Sequence, residues 1–148
     1  MVLLSHLVQI TLLHNMLTKY LSAETAAVQA AEISQRTNNL AQVYSTLKLL
    51  ESCVSSCEVL ADELGPETYT HPLHEHINEC IVACEQMVGA MVRQSRFCIQ
   101  YAEVCVAACG NLANGCMHVE ARTALHCAQL CSDCIDMIRE DFEIALSN

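Results

Sequence analysis

Apolar residues recur every three or four positions in four segments that follow residue 39, which is the spacing of one face of an α-helix. The first apolar face comprises Leu40, Val43, Leu47, Leu50, Val54, Cys57, Ala61 and Leu64. The second comprises Ile77, Cys80, Cys84, Met87 and Met91, and the third Cys98, Tyr101, Cys105, Ala108 and Leu112. The fourth comprises Ala124, Cys127, Cys131, Cys134, Ile138 and Phe142. Four such helices with short connections predict an all-α protein built as an antiparallel four-helix bundle.

The ends of these helices carry signals of different strength. Gly65 and Pro66 stop the first helix, and the Gly- and Asn-rich residues 110–115 are predicted to end the third. The second and third faces stay in phase across residues 92–95, which contain neither Gly nor Pro. We predict a turn there with Ser95 as its cap. The alternative is one long helix, which would imply exchange of chain segments between subunits.

Residues 1–39 predict an additional N-terminal helical segment, with a break near residues 37–39. Its apolar face comprises Leu4, Leu7, Leu13, Met16 and Leu17. A face of this kind must pack on something, so we expect it to cover the bundle or another subunit of a homo-oligomer. The predicted organisation is therefore an extension over residues 1–39 and a bundle over residues 40–148.

The composition favours helices and argues against nucleic acid and membranes as partners. The 148 residues include 53% hydrophobic but only 4% aromatic residues, with four Gly and two Pro. Seven basic against 17 acidic residues give a net charge of −10, which leaves no basic patch for nucleic acid and suits a protein that attracts cations. The apolar residues 1–21 lack a basic start and are interrupted by polar residues, so we predict neither an export signal nor a membrane contact. The expected location is the cytoplasm, where thiols stay reduced.

The eleven cysteines are the outstanding feature of the composition. Each predicted helix carries one Cys-x3-Cys pair, namely Cys53/Cys57, Cys80/Cys84, Cys105/Cys109 and Cys127/Cys131, while Cys98 and Cys134 extend two of the stripes. Cβ atoms four residues apart on a helix are roughly 5–6 Å apart, beyond the roughly 3.5–4.5 Å of a disulfide. The sequence therefore predicts a tube lined by ten free thiols, not a disulfide framework.

Thiolates are soft ligands that select Cu(I), Zn(II) or iron–sulfur clusters. Cu(I) accepts two or three thiolates with little geometric demand, so the ten cysteines predict a Cu(I) store that holds several ions per chain. Zinc or another thiophilic metal, bound for sequestration or sensing, is the first alternative. A helical oligomerisation module with inert buried thiols is the second, because single cysteines are often plain core residues. The sequence contains no Glu-x-x-His pair of a di-iron bundle, and no single cysteine stands out as a nucleophile. Nothing in it therefore indicates an enzyme.

Three stretches of sequence resemble the bacterial cysteine-rich copper storage proteins, which are four-helix bundles. They are Asn78-Glu79-Cys80-Ile81-Val82-Ala83-Cys84, the run from Phe97-Cys98 through Ala102-Glu103-Val104-Cys105 to Cys109-Gly110, and His126-Cys127-Ala128-Gln129-Leu130-Cys131-Ser132-Asp133-Cys134. The resemblance covers roughly residues 50–138 and implies a bundle whose core cysteines bind Cu(I) for storage or detoxification, commonly in a homo-oligomer. Tyr101 and Ile138 stand where the family often carries cysteine.

A further group of donor residues predicts where metal enters. In an up-down-up-down bundle the first and third connections lie at the same end. The first connection and the start of the next helix carry His71, His74 and His76. The third connection carries Cys116, predicted to be a loop cysteine, with Met117 and His118, and His126 lies at the start of the fourth helix. Thiol, thioether and imidazole groups all bind Cu(I), so we predict entry at Cys116, Met117, His118 and His126. The alternative for the first trio is that they are solvated loop histidines.

Overall fold

The computed structural model describes residues 2–20, 23–66 and 72–142, and within them it contains five α-helices and no strand. The helices are α1 (Val2–Tyr20), α2 (Ala23–Leu64), α3 (Pro72–Val92), α4 (Cys98–Cys116) and α5 (Ala124–Phe142). The all-α prediction is confirmed. Contacts divide the chain into two units, Met1–Ala41 and Gln42–Asn148.

The first unit comprises α1 and the first part of α2. Leu4, Leu7 and Leu13 of the predicted apolar face are all more than half exposed, while the side chains of Met16 and Leu17 lie outside the described part. The predicted break near residues 37–39 is wrong, because α2 is helical throughout. Thr and Asn each cost a helix less than about 1 kcal/mol, and no Gly or Pro lies nearby to break it.

The second unit has a core that α2, α3, α4 and α5 all share. The fully buried apolar residues other than cysteine include Leu50 and Leu60 of α2, Ile77 and Met87 of α3, Leu112 of α4 and Ile138 of α5. The apolar faces predicted for α3 and α5 are buried apart from Met91 and Phe142, which are half-buried. Among the described helices, none combines the length and apolarity needed to cross a membrane.

The apolar face predicted for α2 is wrong at its N-terminal end. Leu40 and Val43 are exposed, whereas Thr46 is buried. Thr46 and Gln42 both donate side-chain hydrogen bonds to Asp141, near the end of α5. The contact between α2 and the end of α5 is therefore polar at this point.

Two of the three predicted helix boundaries are confirmed. The α2 helix ends at Leu64, and Gly65 follows with φ of 74°, a left-handed conformation that glycine adopts without strain. A turn separates α3 from α4, so the single long helix is excluded. In this turn Gln94 has φ of 52°, and the Ser95 hydroxyl accepts a hydrogen bond from the Phe97 N–H at 3.1 Å. The N-cap residue of α4 is Phe97, without a side-chain cap hydrogen bond, so the prediction of Ser95 as the cap is wrong.

The third predicted boundary is wrong, because α4 continues through residues 110–115 and ends at Cys116. Close packing explains the composition of this stretch. A Cβ atom on Gly115 would lie 2.7 Å from the Leu73 Cδ1 at the start of α3. The glycine is therefore needed for the approach of two helices and does not end one.

Side-chain contacts show which helix ends meet within the second unit. Glu63, near the end of α2, accepts hydrogen bonds from the Arg122 and Thr123 N–H groups before α5, at 2.7 and 2.9 Å. Gly115 approaches Leu73, as described above. We call this the proximal end, where α2 and α4 finish and α3 and α5 begin. These contacts are those expected of an antiparallel arrangement, and they bring both connections to the proximal end.

Candidate metal centre

Every helix of the second unit contributes cysteines to one buried group. All eleven cysteines are free thiols, ten of them buried and Cys98 half-buried. The helical period explains this, because each Cys-x3-Cys pair puts two sulfur atoms on the same side of its helix, toward the core. The result is a sulfur-lined interior without a single disulfide.

The shortest sulfur contacts run between helices. Between α2 and α5, the Cys53 and Cys131 Sγ atoms are 3.7 Å apart and those of Cys57 and Cys127 are 3.9 Å apart. The predicted pairing within each helix is therefore only part of the arrangement. The order of the partners is reversed between the two helices, so the two pairs follow one another along the α2–α5 contact, with Cys57 and Cys127 nearer the proximal end.

The same pattern holds between α3 and α4. The Cys80 and Cys109 Sγ atoms are 3.7 Å apart, and the Cys84 Sγ lies 3.8 Å from that of Cys105 and 3.9 Å from that of Cys109. One group joins three helices: the sulfurs of Cys53, Cys80, Cys84 and Cys109 all lie within 4.8 Å of one another and are fully buried. We call these four residues the four-sulfur group.

These distances suit a thiolate-bound metal. Sulfurs bound about 2.3 Å from an ion are about 3.8 Å apart in tetrahedral geometry and about 4.6 Å apart in linear geometry. The observed separations of 3.7–3.9 Å, with none above 4.8 Å in the four-sulfur group, cover that range. They are far longer than a disulfide bond of about 2.05 Å. The core can therefore accept metal with only small movements of its side chains.

Hydrogen bonds among the thiols lower the pKa of some cysteines and raise the pKa of others. Hydrogen bonds from Cys109 and Cys84 lower the pKa of Cys105 to about 5. The same contact with Cys105, followed by others and by burial, raises the pKa of Cys109. A thiolate in such a cluster is stabilised by its neighbours' S–H groups, and those neighbours then hold their protons more firmly. Binding of a metal cation must release the remaining protons.

The two cysteines that extend the stripes have different surroundings. Cys134 is buried, and its Sγ donates to the Leu49 carbonyl oxygen at 3.6 Å. It lies close enough to Cys109 and Cys53 for their hydrogen bonds to affect its pKa, which is raised on balance. Cys98 instead donates to the Ala90 carbonyl oxygen at 3.3 Å, at the end away from the two connections. Cys134 thus joins the cluster, whereas Cys98 stands at its far edge.

The predicted entry residues fall into two environments. Cys116 is not a loop residue; it ends α4, is 1% exposed, and has its pKa raised by a hydrogen bond with Cys127 and by burial. Met117, which is 66% exposed, and the exposed His118 and His126 face solvent. The structure therefore places a buried thiol directly beside exposed thioether and imidazole groups.

Two of the three histidines around the start of α3 differ from solvated loop residues. His71 lies outside the described residues. His74 is buried in the first turn of α3, and the half-buried His76 has a buried Nδ1 with no hydrogen-bond partner in the described chain. His76 lies beside Gly115, since a Cβ there would be 3.7 Å from the His76 Cδ2. It is thus a further nitrogen donor close to Cys116.

One polar group near the thiols was not singled out by its sequence. Ser56 is 8% exposed, and its Oγ has no hydrogen-bond partner among the described residues. The signal available was its position, directly before Cys57 and three residues after Cys53, which turns it toward the same side of α2. Serine is common on solvated helix faces, so sequence alone gives no reason to prefer a buried site.

Comparison with known proteins identifies a family for most of the chain. The family model described as copper storage protein matches residues 39–142. Searches of curated proteins and of solved structures found no match. The matched residues include all eleven cysteines.

Proposed function

Because the chain belongs to the copper storage protein family, we propose that it stores copper as Cu(I), bound by the thiolates that line the core of its helical bundle. Storage, the role in the family's description, is not an enzymatic function. The proposed ligands are Cys53, Cys57, Cys80, Cys84, Cys98, Cys105, Cys109, Cys127, Cys131 and Cys134. Ten sulfurs are too many for one ion, so several copper ions per chain are expected.

The four-sulfur group of Cys53, Cys80, Cys84 and Cys109 is the observation that carries this proposal. Its sulfurs are fully buried and lie within 4.8 Å of one another. Contacts of 3.7 and 3.8 Å continue from it to Cys131 and Cys105. A packed core needs no such continuous chain of sulfurs, whereas a store for a soft monovalent cation does.

Zinc is the second candidate ion, and the same four-sulfur group favours it, since structural zinc sites are tetrahedral and include four-cysteine sets. Such a site would carry a charge of about −2 in a core whose helical backbone N–H groups are already hydrogen-bonded. Cu(I) thiolate groups with one ion per sulfur carry no net charge. Burial therefore supports Cu(I) as the stored ion.

A reducing compartment suits this function. All eleven cysteines are free thiols with short contacts between neighbours, and oxidation of such pairs would remove ligands. We therefore place the protein in the cytoplasm. The net charge of −10 supports attraction of cations and gives no support for a nucleic-acid partner.

The experiment is an anaerobic titration of the fully reduced protein with Cu(I) in the presence of a chromophoric competitor. We expect several ions per chain to be bound at competitor concentrations that buffer free Cu(I). Replacing the whole four-sulfur group by serine should remove more than one ion. The matched control Cys98→Ser, at the far edge of the cluster, should remove at most one.

Two outcomes would contradict the proposal. A wild-type chain that binds one ion or none under these conditions is not a Cu(I) store. A chain that binds one Zn(II) more tightly than it binds Cu(I), in a parallel titration with a zinc indicator, would support the zinc alternative.

A further inference from the structure

A groove with a volume of about 550 Å³ runs along the outside of the α3–α4 contact. Its floor is made of small side chains, since Ala83 and Ala108 are 4% and 8% exposed. One valine from each helix borders this floor, and Val82 and Val104 are 51% and 55% exposed. We give the name α3–α4 face to these four residues together with the exposed Asn78, Glu79, Gln86, Ala107 and Asn111.

The α3–α4 face carries little charge. Glu79 is the only charged residue among the nine that line the groove. The groove between α2 and α5 contains Lys48 and Glu51, and the groove between α2 and α3 contains Glu51 and Glu85. Because the chain has a net charge of −10, two copies repel one another over most approaches. The α3–α4 face allows a second copy to approach with little repulsion, and depletion of charged residues is typical of the centre of protein interfaces.

The face is also complementary to itself. The two valines form ridges beside a floor of alanines, and ridges of one helix pack into the grooves of a facing helix. Val82 lies midway along the α3 side of the face, with Glu79 toward one end and Gln86 toward the other, about 10 Å apart along the helix. A twofold axis near Val82 brings Glu79 of one copy opposite Gln86 of the other. The carboxylate then accepts a hydrogen bond from an amide and does not face a second carboxylate.

We propose that the α3–α4 face is a twofold interface between two copies of this chain. The occupant of the groove is the same face of the second copy, since a twofold contact uses one self-complementary surface twice. Nine residues a side are fewer than the roughly 20–30 of a stable interface, so the association through this face is reversible and depends on concentration. The inference is independent of the proposed function, because no cysteine lines the groove.

The test uses opposite charges at Val82, the position nearest the proposed axis. In Val82→Glu and in Val82→Lys, like charges meet across the axis, so each variant alone should raise the dissociation constant at least tenfold. An equal mixture of the two variants should associate at least as tightly as the wild type, because unlike charges then meet. The measurement is sedimentation equilibrium of the reduced, metal-free chain over a range of concentrations.

The matched control is Val59, which is 52% exposed and lines the groove between α2 and α5. Val59→Glu and Val59→Lys change the net charge by the same amounts and should leave the dissociation constant unchanged. If circular dichroism shows that a Val82 variant is unfolded, Ala107→Glu and Ala107→Lys replace the pair, since the exposed Ala107 lies midway along the α4 side of the face.

Four results would overturn the proposal. They are a wild-type chain that is monomeric throughout the concentration range, unchanged association in both charged variants, equal weakening in the Val59 variants, and weakening that the mixture does not relieve. The last result would mean that the groove receives something other than the same face, such as α1 of a second copy or a different protein. Copper content per chain should equal that of the wild type in every variant, so failure of copper binding would overturn only the storage function.

Discussion

Cys116 marks the boundary between the buried thiols and solvent. It is 1% exposed, and a hydrogen bond with Cys127 together with burial raises its pKa, yet the next residue, Met117, is 66% exposed. A buried thiol and an exposed thioether are therefore neighbours in the sequence at the end of α4. This arrangement supports the expectation that copper enters at the proximal end, through Cys116, Met117 and His118.

The combined variant Cys116→Ala, Met117→Leu and His118→Gln tests this entry route. It should slow Cu(I) uptake and leave the final copper content nearly unchanged, because the variant removes donors on the path and leaves the four-sulfur group intact. The measurement is stopped-flow uptake followed by copper determination. The matched control, Met91→Leu with Cys98→Ala, removes one thioether and one thiol near the turn between α3 and α4. Wild-type uptake in the first variant, or equal slowing in both, would contradict entry at the proximal end.

The burial of individual cysteines could be predicted from the sequence, but their partners could not. The helical period places Cys80, Cys84, Cys127 and Cys131 on core faces, as observed. Which sulfur meets which depends on how far one helix is shifted along the next, and that shift is set by packing over the whole bundle. The contact of Cys53 with Cys131 at 3.7 Å therefore becomes evident only in the structure.

At the scale of helices, the sequence predicted a boundary correctly where the residue serves the backbone conformation of a turn. Gly65 adopts positive φ after α2, and the turn after α3 uses Ser95 as a hydrogen-bond acceptor. The prediction failed where a small residue serves packing, since Gly115 lies inside α4 to admit Leu73. Sequence shows that glycine is present, but it does not distinguish a helix end from a close helix–helix approach.

The start of α5 depends on a carboxylate from α2. Glu63 accepts hydrogen bonds from Thr123, through both its hydroxyl and its N–H, and from the Arg122 N–H. The Thr123 hydroxyl, followed by its N–H, holds the pKa of Glu63 below the ordinary value of 4.5. A lowered folded-state pKa means that the stabilisation is present above pH 4.5 and is lost as the pH falls through the folded-state value.

Glu63→Gln should therefore lower the free energy of unfolding near neutral pH, and the difference from the wild type should vanish in acid, where Glu63 is protonated. The measurement is urea unfolding of the reduced, metal-free protein across a pH series. Glu58→Gln changes an exposed carboxylate five residues earlier on α2; it is the control and should show no such difference. A Glu63→Gln deficit that stays constant from neutral to acidic pH would show that its charge plays no part.

For the whole molecule, cysteine spacing was enough to identify the family, and the family match over residues 39–142 confirms that resemblance. The extent of α2 was not predictable in the same way. The helix runs to Ala23 without a break, and its apolar residues Leu40 and Val43 are exposed. Sequence periodicity reports an apolar face, but it does not report whether anything in the same chain covers that face.

The apolar surface of α1 is where we expect subunits to meet. Leu4, Leu7 and Ile10 are 69%, 60% and 62% exposed, and the helix has no acidic residue in its first turn. Exposed apolar surface of this density normally marks an interface. We propose that residues 1–39 form an extension that joins copies of the chain into a homo-oligomer, separate from the copper-binding bundle of residues 40–148.

Deleting residues 1–39, or replacing Leu4, Leu7 and Ile10 together by glutamine, should shift the protein toward smaller assemblies in multi-angle light scattering. Copper content per chain should stay nearly unchanged, because none of the eleven cysteines lies in this segment. Replacing the exposed polar residues Ser5 and Gln9 by asparagine is the control and should preserve the assembly. A large loss of bound copper with an unchanged assembly would contradict this proposal. It would show instead that the segment supports the metal-binding core and does not join subunits.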